Sequence, residues 1–175
     1  MEKLLQRCNF IAKHLLAPKG MKVSVSFGKD GSYSYLRSST EGVIYVDPRM
    51  SGDPTDSQFE LRVLGVLYHE IGHLLFTQFE PMGIIRTKEK NSQKMIPLYV
   101  NEHKKELLSR DSDAVQKLYE LIFDNIYYHN LGDTLNMVED AAIEVLVPGV
   151  QHVSQRKKNR IFACVASNRD YIFSL

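Results

Sequence analysis

The sequence predicts an α+β fold that is mostly helical, with a small mixed β-sheet preceding one long apolar helix. Apolar residues recur at helical spacing through most of the chain, whereas two short segments near the N-terminus are β-branched or alternate apolar with polar residues. The composition, 43% hydrophobic and 25% charged over 175 residues, is typical of one compact domain. We therefore expect a single domain over residues 1–175, divided into an N-terminal helix and sheet (1–57), the long helix (58–79), a helical part (98–148) and a C-terminal tail (149–175).

The N-terminal part is predicted to hold one helix and two strands. Charged and apolar residues alternate at helical spacing over residues 1–17, and Pro18 and Gly20 then stop the helix. Residues 21–27 alternate apolar with polar side chains, and residues 42–47 are β-branched. Both segments are therefore expected to be strands of the small sheet.

The long helix is predicted over residues 58–78. Residues 51–57 are dense in helix breakers, and Asp56 or Ser57 is a suitable N-cap. The segment that follows is apolar almost all round, so this helix must be buried.

The second half of the chain is predicted to be helical after one polar loop. Asp111 or Ser112 can cap the second of its helices, and the last helix should end before Pro148-Gly149. The predicted elements are the loop at 81–97 and helices at 98–109, 111–130 and 133–147.

Charge and cysteine content limit the partners and the compartment. The net charge of +1, from 22 basic and 21 acidic residues, gives no footprint for nucleic acid or an anionic membrane, and no apolar run is long enough to span a bilayer. Cys8 and Cys164 form no metal-type spacing and indicate no disulfide framework. Because Lys3, Arg7 and Lys13 interrupt the first helix, it does not resemble a signal peptide, and we expect a cytoplasmic protein.

Residues 69–73 have the sequence His-Glu-Ile-Gly-His, which is the most informative motif of the chain. On a helix, His69 and His73 lie on one face one turn apart, so both imidazoles can bind a single tetrahedral Zn²⁺. Glu70 can accept a proton from a water that the metal activates and pass it to a leaving amine. The pattern predicts one Zn²⁺ per chain and Glu70 as the catalytic base.

Chance and context both favour the metal hypothesis. With six histidines among 175 residues, this spacing would arise by accident in roughly one chain in a hundred. The surrounding residues are apolar, so two imidazoles and a carboxylate would be buried there at a high desolvation cost unless something satisfied them. A metal ion does so directly.

A third protein ligand must come from outside the motif, since Phe79 stands where a third histidine six residues after the second would be. The helix over 136–144 carries four polar residues on one face among apolar ones. Glu139 and Asp140 are both candidate ligands, with Glu139 preferred, and the remaining carboxylate, Asn136 or Glu144 would orient a metal-bound histidine.

Tyr128 and His129 close the preceding helix, where a packed aromatic residue with a polar tip is the simpler interpretation. One of them could instead donate a hydrogen bond to the oxyanion of a tetrahedral intermediate. A basic run at 151–160 is interpreted as a solvated face or linker.

At these residues the chain resembles the zincin metallopeptidases, in their gluzincin form with two histidines and a carboxylate. The resemblance covers the strand at 42–47, the helix with H-E-x-x-H-x-x-x-T and the helix with N-x-x-E-D. This combination is similar to little-characterised bacterial and phage metallopeptidases that are often joined to von Willebrand A-like domains. The resemblance implies a zincin fold, one Zn²⁺, and a peptide or protein substrate.

The resemblance also implies a role for the strand Val43, Ile44, Tyr45 and Val46. In zincin-like folds an edge strand before the active-site helix pairs antiparallel with extended substrate, through main-chain hydrogen bonds. An ordinary core strand is the alternative.

Three functional hypotheses follow. The first is a zinc endopeptidase acting on proteins or peptides. The second is a zincin-fold regulatory or assembly component, such as a phage or mobile-element protein. The third is a metal-dependent hydrolase of a non-peptide amide, because a metal-activated water attacks any suitably polarised carbonyl.

Overall fold

The computed structural model describes residues 1–77, 79–147 and 154–172. Two short 3-10 turns lie at Ala17–Lys19 and Pro48–Ser51. The predicted α+β class is confirmed, since the structure is mostly helical with one small mixed sheet. The elements are α1 (Glu2–Leu16), β1 (Lys22–Phe27), β2 (Tyr33–Ser38), β3 (Glu41–Val46), α2 (Phe59–Phe76), α3 (Phe79–Glu102), α4 (Lys104–Leu108), α5 (Ser112–Leu146) and α6 (Gln155–Ile172).

The chain forms two compact units where the sequence predicts one domain. The first unit joins Met1–Thr77 to Glu139–Leu175, and the second is Gln78–Val138. The helical part predicted at 98–148 is therefore divided, because the last turns of α5 belong with the N-terminal residues.

The sheet has the strand order β1-β3-β2, so β3 is its central strand. β1 pairs with β3 in parallel, and β2 pairs with β3 antiparallel with a register shift near Leu36 and Ser38. The side chains of Val43, Ile44 and Val46 are at most 3% exposed. The two predicted strands are confirmed as β1 and β3, and β2 is an additional strand between them in sequence.

The outer edge of β1 is covered by α1. The Asn9 side chain donates to the carbonyl oxygen of Val25 at 3.0 Å and accepts from the Val25 N–H at 3.1 Å. This amide therefore takes the place of a neighbouring strand at that position. β2 is the other outer strand, and its second edge has no strand partner among the described residues.

α2 is the central helix of the first unit. The N-cap of the helix is Gln58, whose side chain makes no capping hydrogen bond, so the predicted cap at Asp56 or Ser57 was wrong. The Asp56 carboxylate instead accepts the Gln58 N–H at 2.8 Å, before the helix begins. Helices α1 and α6 and strands β2 and β3 all contact α2. This enclosure explains why its sequence is apolar almost all round.

The region predicted as a C-terminal tail contains a helix, α6, packed against α2. Ile161, Cys164 and Val165 are buried there. The prediction of a tail was therefore wrong over Gln155–Ile172, which form a helix. The basic residues near the start of this helix make its apolar face hard to recognise in the sequence.

The second unit contains an antiparallel helix pair. Arg86 of α3 bonds Asp133 of α5 at 3.1 Å, and further along α3 the Ser92 hydroxyl lies 3.5 Å from the Asn125 amide of α5. The polar segment predicted as a loop at 81–97 is thus part of α3. The loop prediction was wrong because the lysine, glutamate and glutamine residues of this segment are polar but are also strong helix formers.

α5 is continuous where the sequence predicts two helices separated near residue 131. Gly132, which favours a break, lies beneath the guanidinium of Arg86, and a Cβ at this position would be 3.0 Å from Arg86 Nη1. Asp111 caps the helix as predicted, since its Oδ1 accepts the N–H groups of Asp113 and Ala114. Close packing by Arg86 accounts for a glycine inside the helix.

Two predicted helix ends, at Gln78 and at Pro148-Gly149, lie outside the described residues. None of the helices in the described ranges combines the length and apolarity that crossing a membrane would require.

Gly72 sets the distance between α2 and the end of α5. A Cβ built on Gly72 would be 2.2 Å from Cγ2 of Ile143 and 2.6 Å from Cγ2 of Val147. Both neighbours are β-branched and at most 2% exposed, so they cannot rotate away. Only glycine allows this approach, which places the turn before Ile143 against the motif histidines.

Gly72→Ala should therefore destabilise the protein by about 1–3 kcal/mol, the usual cost of overpacking a buried contact. Chemical denaturation of the two proteins measures this difference. Gly83→Ala is the matched control, because Gly83 is also helical and has nothing within 4 Å of its built Cβ. It should be neutral or stabilising by about 0.5–1 kcal/mol. Equal effects of the two changes would contradict the close approach at Gly72.

Candidate metal centre

His69 and His73 meet as their spacing on α2 predicts. Their Nε2 atoms are 3.2 Å apart. The side chains are 25% and 16% exposed, so the pair is partly open to solvent on an otherwise buried helix. The two nitrogens converge on one point at the surface of α2.

The third donor atom is a carboxylate oxygen of Asp140 on α5. Asp140 Oδ1 lies 3.5 Å from His69 Nε2 and 3.2 Å from His73 Nε2. The sequence preferred Glu139 as the third ligand, and the structure instead brings Asp140 to the two imidazoles. Ile143 and Val147, packed on Gly72, fix this rotation of the helix, and the identity of the metal ligand stays a prediction.

The three donor atoms fit a tetrahedral zinc ion. With Zn–N and Zn–O bonds of about 2.0–2.1 Å, two ligands of such an ion are about 3.3–3.4 Å apart. The observed triangle has edges of 3.2, 3.2 and 3.5 Å. Two imidazole nitrogens and one carboxylate oxygen are also a donor set that suits zinc better than Mg²⁺ or Ca²⁺, which prefer oxygen ligands alone.

Glu139 is connected to this triangle indirectly, because the Thr77 hydroxyl contacts both Glu139 and His73. The Thr77 hydroxyl donates to Glu139 Oε2 at 3.3 Å and lies 2.8 Å from His73 Nδ1. Because the hydroxyl hydrogen is used on Glu139, the Thr77 oxygen must accept the Nδ1–H of His73. This hydrogen bond fixes the tautomer and leaves the His73 Nε2 lone pair available for a metal.

The role of Thr77 was not predicted, although its position indicates it. Thr77 follows His73 by four residues and so lies on the same helix face. It is the residue that ends α2, with its own N–H donating to the His73 carbonyl at 2.9 Å.

Glu70 is buried next to the histidines. Its residue is 5% exposed, and its Oε2 has no hydrogen-bond partner among the described residues. Ser34 of β2 donates to the Glu70 main-chain carbonyl at 3.1 Å, which joins the outer strand to this turn of α2. A buried carboxylate oxygen without a partner is costly, so its presence requires an explanation beyond packing.

The electrostatics of the cluster favour a positive charge at His69. Burial acts to lower the pKa of His69, but the hydrogen bond that His69 donates to Asp140 and the charges of Glu70, Asp140 and Glu144 outweigh it and raise the pKa. Burial likewise acts to raise the pKa of Asp140, and its contacts with His69 and His73 hold the pKa well below the usual range. A divalent cation bound at the imidazoles would compensate the negative charge of these carboxylates.

Burial raises the pKa of Glu70, and the charges of His69 and His73 only partly oppose it. A carboxylate whose pKa is raised toward neutrality is a better proton acceptor and donor than an ordinary one. The two carboxyl groups nearest the imidazoles therefore differ in character: the contacts with His69 and His73 lower the pKa of Asp140, whereas burial raises the pKa of Glu70.

The remaining predicted residues lie in two places. Glu144 belongs to the same unit as the histidines and acts on His69 through its charge. Asn136, Tyr128 and His129 belong to the unit Gln78–Val138, so their predicted roles at the metal stay predictions. There, Tyr128 accepts from Lys88 at 3.3 Å, and His129 lies between Glu89 and Asp133 at 2.9 and 3.4 Å.

The prediction that Val43, Ile44, Tyr45 and Val46 receive a substrate strand was wrong. These residues form β3, whose two edges are paired with β1 and β2. Their main-chain groups are therefore already used within the sheet.

No family model matches the chain, and neither a curated protein nor a solved structure matches it.

The geometry predicts how variants of the two adjacent carboxylates differ. Asp140→Ala removes a proposed ligand and should cost more zinc affinity than Glu139→Ala, which removes only the group that orients His73 through Thr77. For Glu139→Ala and for Thr77→Val we expect losses of about 10 to 100-fold. Competition titration with a zinc chelator ranks the variants.

Thr77→Ser is the matched control, since it keeps the hydroxyl and should retain zinc affinity close to that of the unchanged protein. A larger loss for Glu139→Ala than for Asp140→Ala would restore Glu139 as the ligand and refute this arrangement.

Proposed function

We propose that the chain is a zinc metallopeptidase that hydrolyses peptide bonds. The observation that carries this proposal is the triangle of His69, His73 and Asp140 donor atoms, with edges of 3.2–3.5 Å, beside the buried Glu70. These residues would hold one Zn²⁺ per chain. When bound, zinc lowers the pKa of a coordinated water and polarises the scissile carbonyl.

Glu70 is the proposed general base. Its Oε2 has no hydrogen-bond partner among the described residues, so a lone pair is available to take a proton. Burial raises its pKa, which suits a group that first accepts a proton from water and then passes it to the leaving amine. The same oxygen can serve both steps.

Thr77 and Glu139 are proposed as positioning residues. They hold the His73 ring in one tautomer, with Nε2 directed at the donor triangle. The carboxylate at the end of this chain of hydrogen bonds also makes the imidazole more basic, which strengthens its bond to a metal.

We also propose that the fold is zincin-like. In support, a small mixed sheet precedes the helix that carries both histidines, and the third donor comes from a later helix. The N-x-x-E-D segment then contributes Asp140 as ligand and Glu139 as its outer partner.

β2 is the strand that we propose for substrate binding in place of β3. It is an outer strand of the described sheet, and Ser34 links it to the main chain of Glu70. An extended peptide could add to its open edge through main-chain hydrogen bonds, which bind peptides of many sequences. Side-chain pockets would then set the specificity.

Peptide hydrolysis is preferred to the two other hypotheses on the basis of these residues. A regulatory or assembly component would have no need of a buried carboxylate oxygen that has no hydrogen-bond partner among the described residues, next to the motif histidines. Hydrolysis of a non-peptide amide would use the same chemistry, but the open strand beside the site favours an extended peptide. We further propose that the protein acts in the cytoplasm, in keeping with Cys8 and Cys164, which are free thiols in the structure.

Glu70→Gln should bind one zinc per chain as the unchanged protein does, and should lose nearly all peptidase activity. The amide is almost isosteric but cannot accept a proton, and loss of a general base costs roughly 10²–10⁴-fold in rate. Metal analysis and a fluorogenic peptide library measure the two properties.

Glu60→Gln is the matched control, because Glu60 lies on the same helix with an exposed side chain and should keep full activity. Activity of Glu70→Gln near that of Glu60→Gln would remove Glu70 from the proposed role. Cleavage of amide probes without cleavage of any peptide would replace the peptidase by an amide hydrolase.

A further inference from the structure

A cavity lies in the first unit, where α1, α2 and α6 meet. It has a volume of about 250 Å³, which is below the range of drug-sized pockets. We call it the α1/α6 cleft. None of the proposed metal ligands, nor Glu70, is among the residues that line it.

The charged residues of the α1/α6 cleft are all basic or imidazole groups. Arg7 and His14 come from α1, and Lys157 and Arg160 come from α6. Arg7 is paired with Glu60, whereas Lys157 and Arg160 have no carboxylate within ion-pair distance among the described side chains. Lys157 Nζ instead lies 3.5 Å from His14 Nε2. Lys157 and Arg160 are thus exposed cations at the cleft that are not paired with a carboxylate among the described side chains.

The rest of the lining is apolar, with one hydroxyl. Leu15 and Ile161 are buried, and Phe10 is 73% exposed at the cleft. Tyr68 also lines the cleft, and its hydroxyl makes no hydrogen bond within the described residues although the residue is only 6% exposed.

We propose that the α1/α6 cleft binds a small monocarboxylate with an apolar body. Lys157 and Arg160 would hold the carboxylate through charge-assisted hydrogen bonds. The apolar body would lie against Phe10, Leu15 and Ile161, and cover the exposed ring of Phe10. A ligand with only one of these two properties would leave either the cations or the apolar wall without a partner.

This binding site is independent of the proposed metal centre and does not rest on the proposed function. Tyr68 nevertheless precedes His69 in the chain, so a ligand in the cleft would contact the same helix that carries the motif.

Octanoate, acetate, 1-octanol and octylammonium are the probes that test the proposal, by calorimetric titration of the full chain in the presence of a chelator. Octanoate should bind with a stoichiometry of one and at least about tenfold more tightly than each other probe, because only octanoate satisfies both the cations and the wall. Acetate controls for binding of any carboxylate, and the chelator removes binding at a metal.

The double variant Lys157→Gln/Arg160→Gln should weaken octanoate binding by about tenfold or more, since two charge-assisted contacts are lost. Arg156→Gln is the matched control: Arg156 lies on the same helix and is exposed, and it does not line the cleft, so affinity should be unchanged. Phe10→Ala, at an exposed position, should weaken octanoate and leave the weak binding of acetate unaltered. Circular dichroism establishes that each variant is folded.

Three results would overturn the proposal: no saturable binding of octanoate to the folded protein, equal affinity for octanoate and 1-octanol, or a loss in Arg156→Gln as large as that in the double variant. Each of these can occur whether or not the protein hydrolyses peptides, so failure here is distinguishable from failure of the proposed function.

Discussion

The contact of Gly72 with Ile143 and Val147 is the constraint on which the site depends. A side chain as small as alanine would collide with both neighbours, at 2.2 and 2.6 Å. The absence of that side chain lets the end of α5 approach α2 closely, and Asp140 is then held 3.2 Å from His73 Nε2. Packing of apolar residues thus positions the polar ones, because a closely packed contact permits little sliding.

The charges around the two histidines form a second constraint. Glu70, Asp140 and Glu144 all act to raise the pKa of His69, and Glu139 accepts a hydrogen bond from Thr77 beside His73. Such a concentration of carboxylates opposes folding unless cations compensate for it. A bound divalent ion would remove this cost, so metal binding and stability of the first unit should be coupled.

The motif could be predicted from sequence because it is local, whereas the third proposed ligand could not. Four residues along a helix bring two histidines to one face without help from the rest of the chain. The choice between Glu139 and Asp140 depends on how α5 is rotated. At 100° per residue, Ile143 and Val147 point in nearly the same direction from the axis of α5. Around that axis, Asp140 lies about 40° to one side of this direction and Glu139 about 60° to the other side. Because these two angles are similar, the packing of Ile143 and Val147 on Gly72 determines which of the two carboxylates faces the histidines.

Similar reasons explain the errors in the fold. β2 adds an antiparallel edge to β3, so the strand predicted to receive substrate became central, and only the pairing in space reveals this. Gly132 predicted a break in α5 because glycine weakens isolated helices, whereas Arg86 of α3 covers it and the helix continues. In each case a tertiary contact overrides a correct local preference.

The measurement that most directly tests the metal centre is X-ray absorption spectroscopy at the zinc edge on the protein loaded with one equivalent of Zn²⁺. The structure predicts a first shell of two imidazole nitrogens and carboxylate or water oxygens at about 2.0–2.2 Å, without sulfur at about 2.3 Å. The same spectrum from His73→Ala should lose an imidazole contribution. A sulfur shell from Cys8 or Cys164, or a first shell unchanged by His73→Ala, would contradict the central claim.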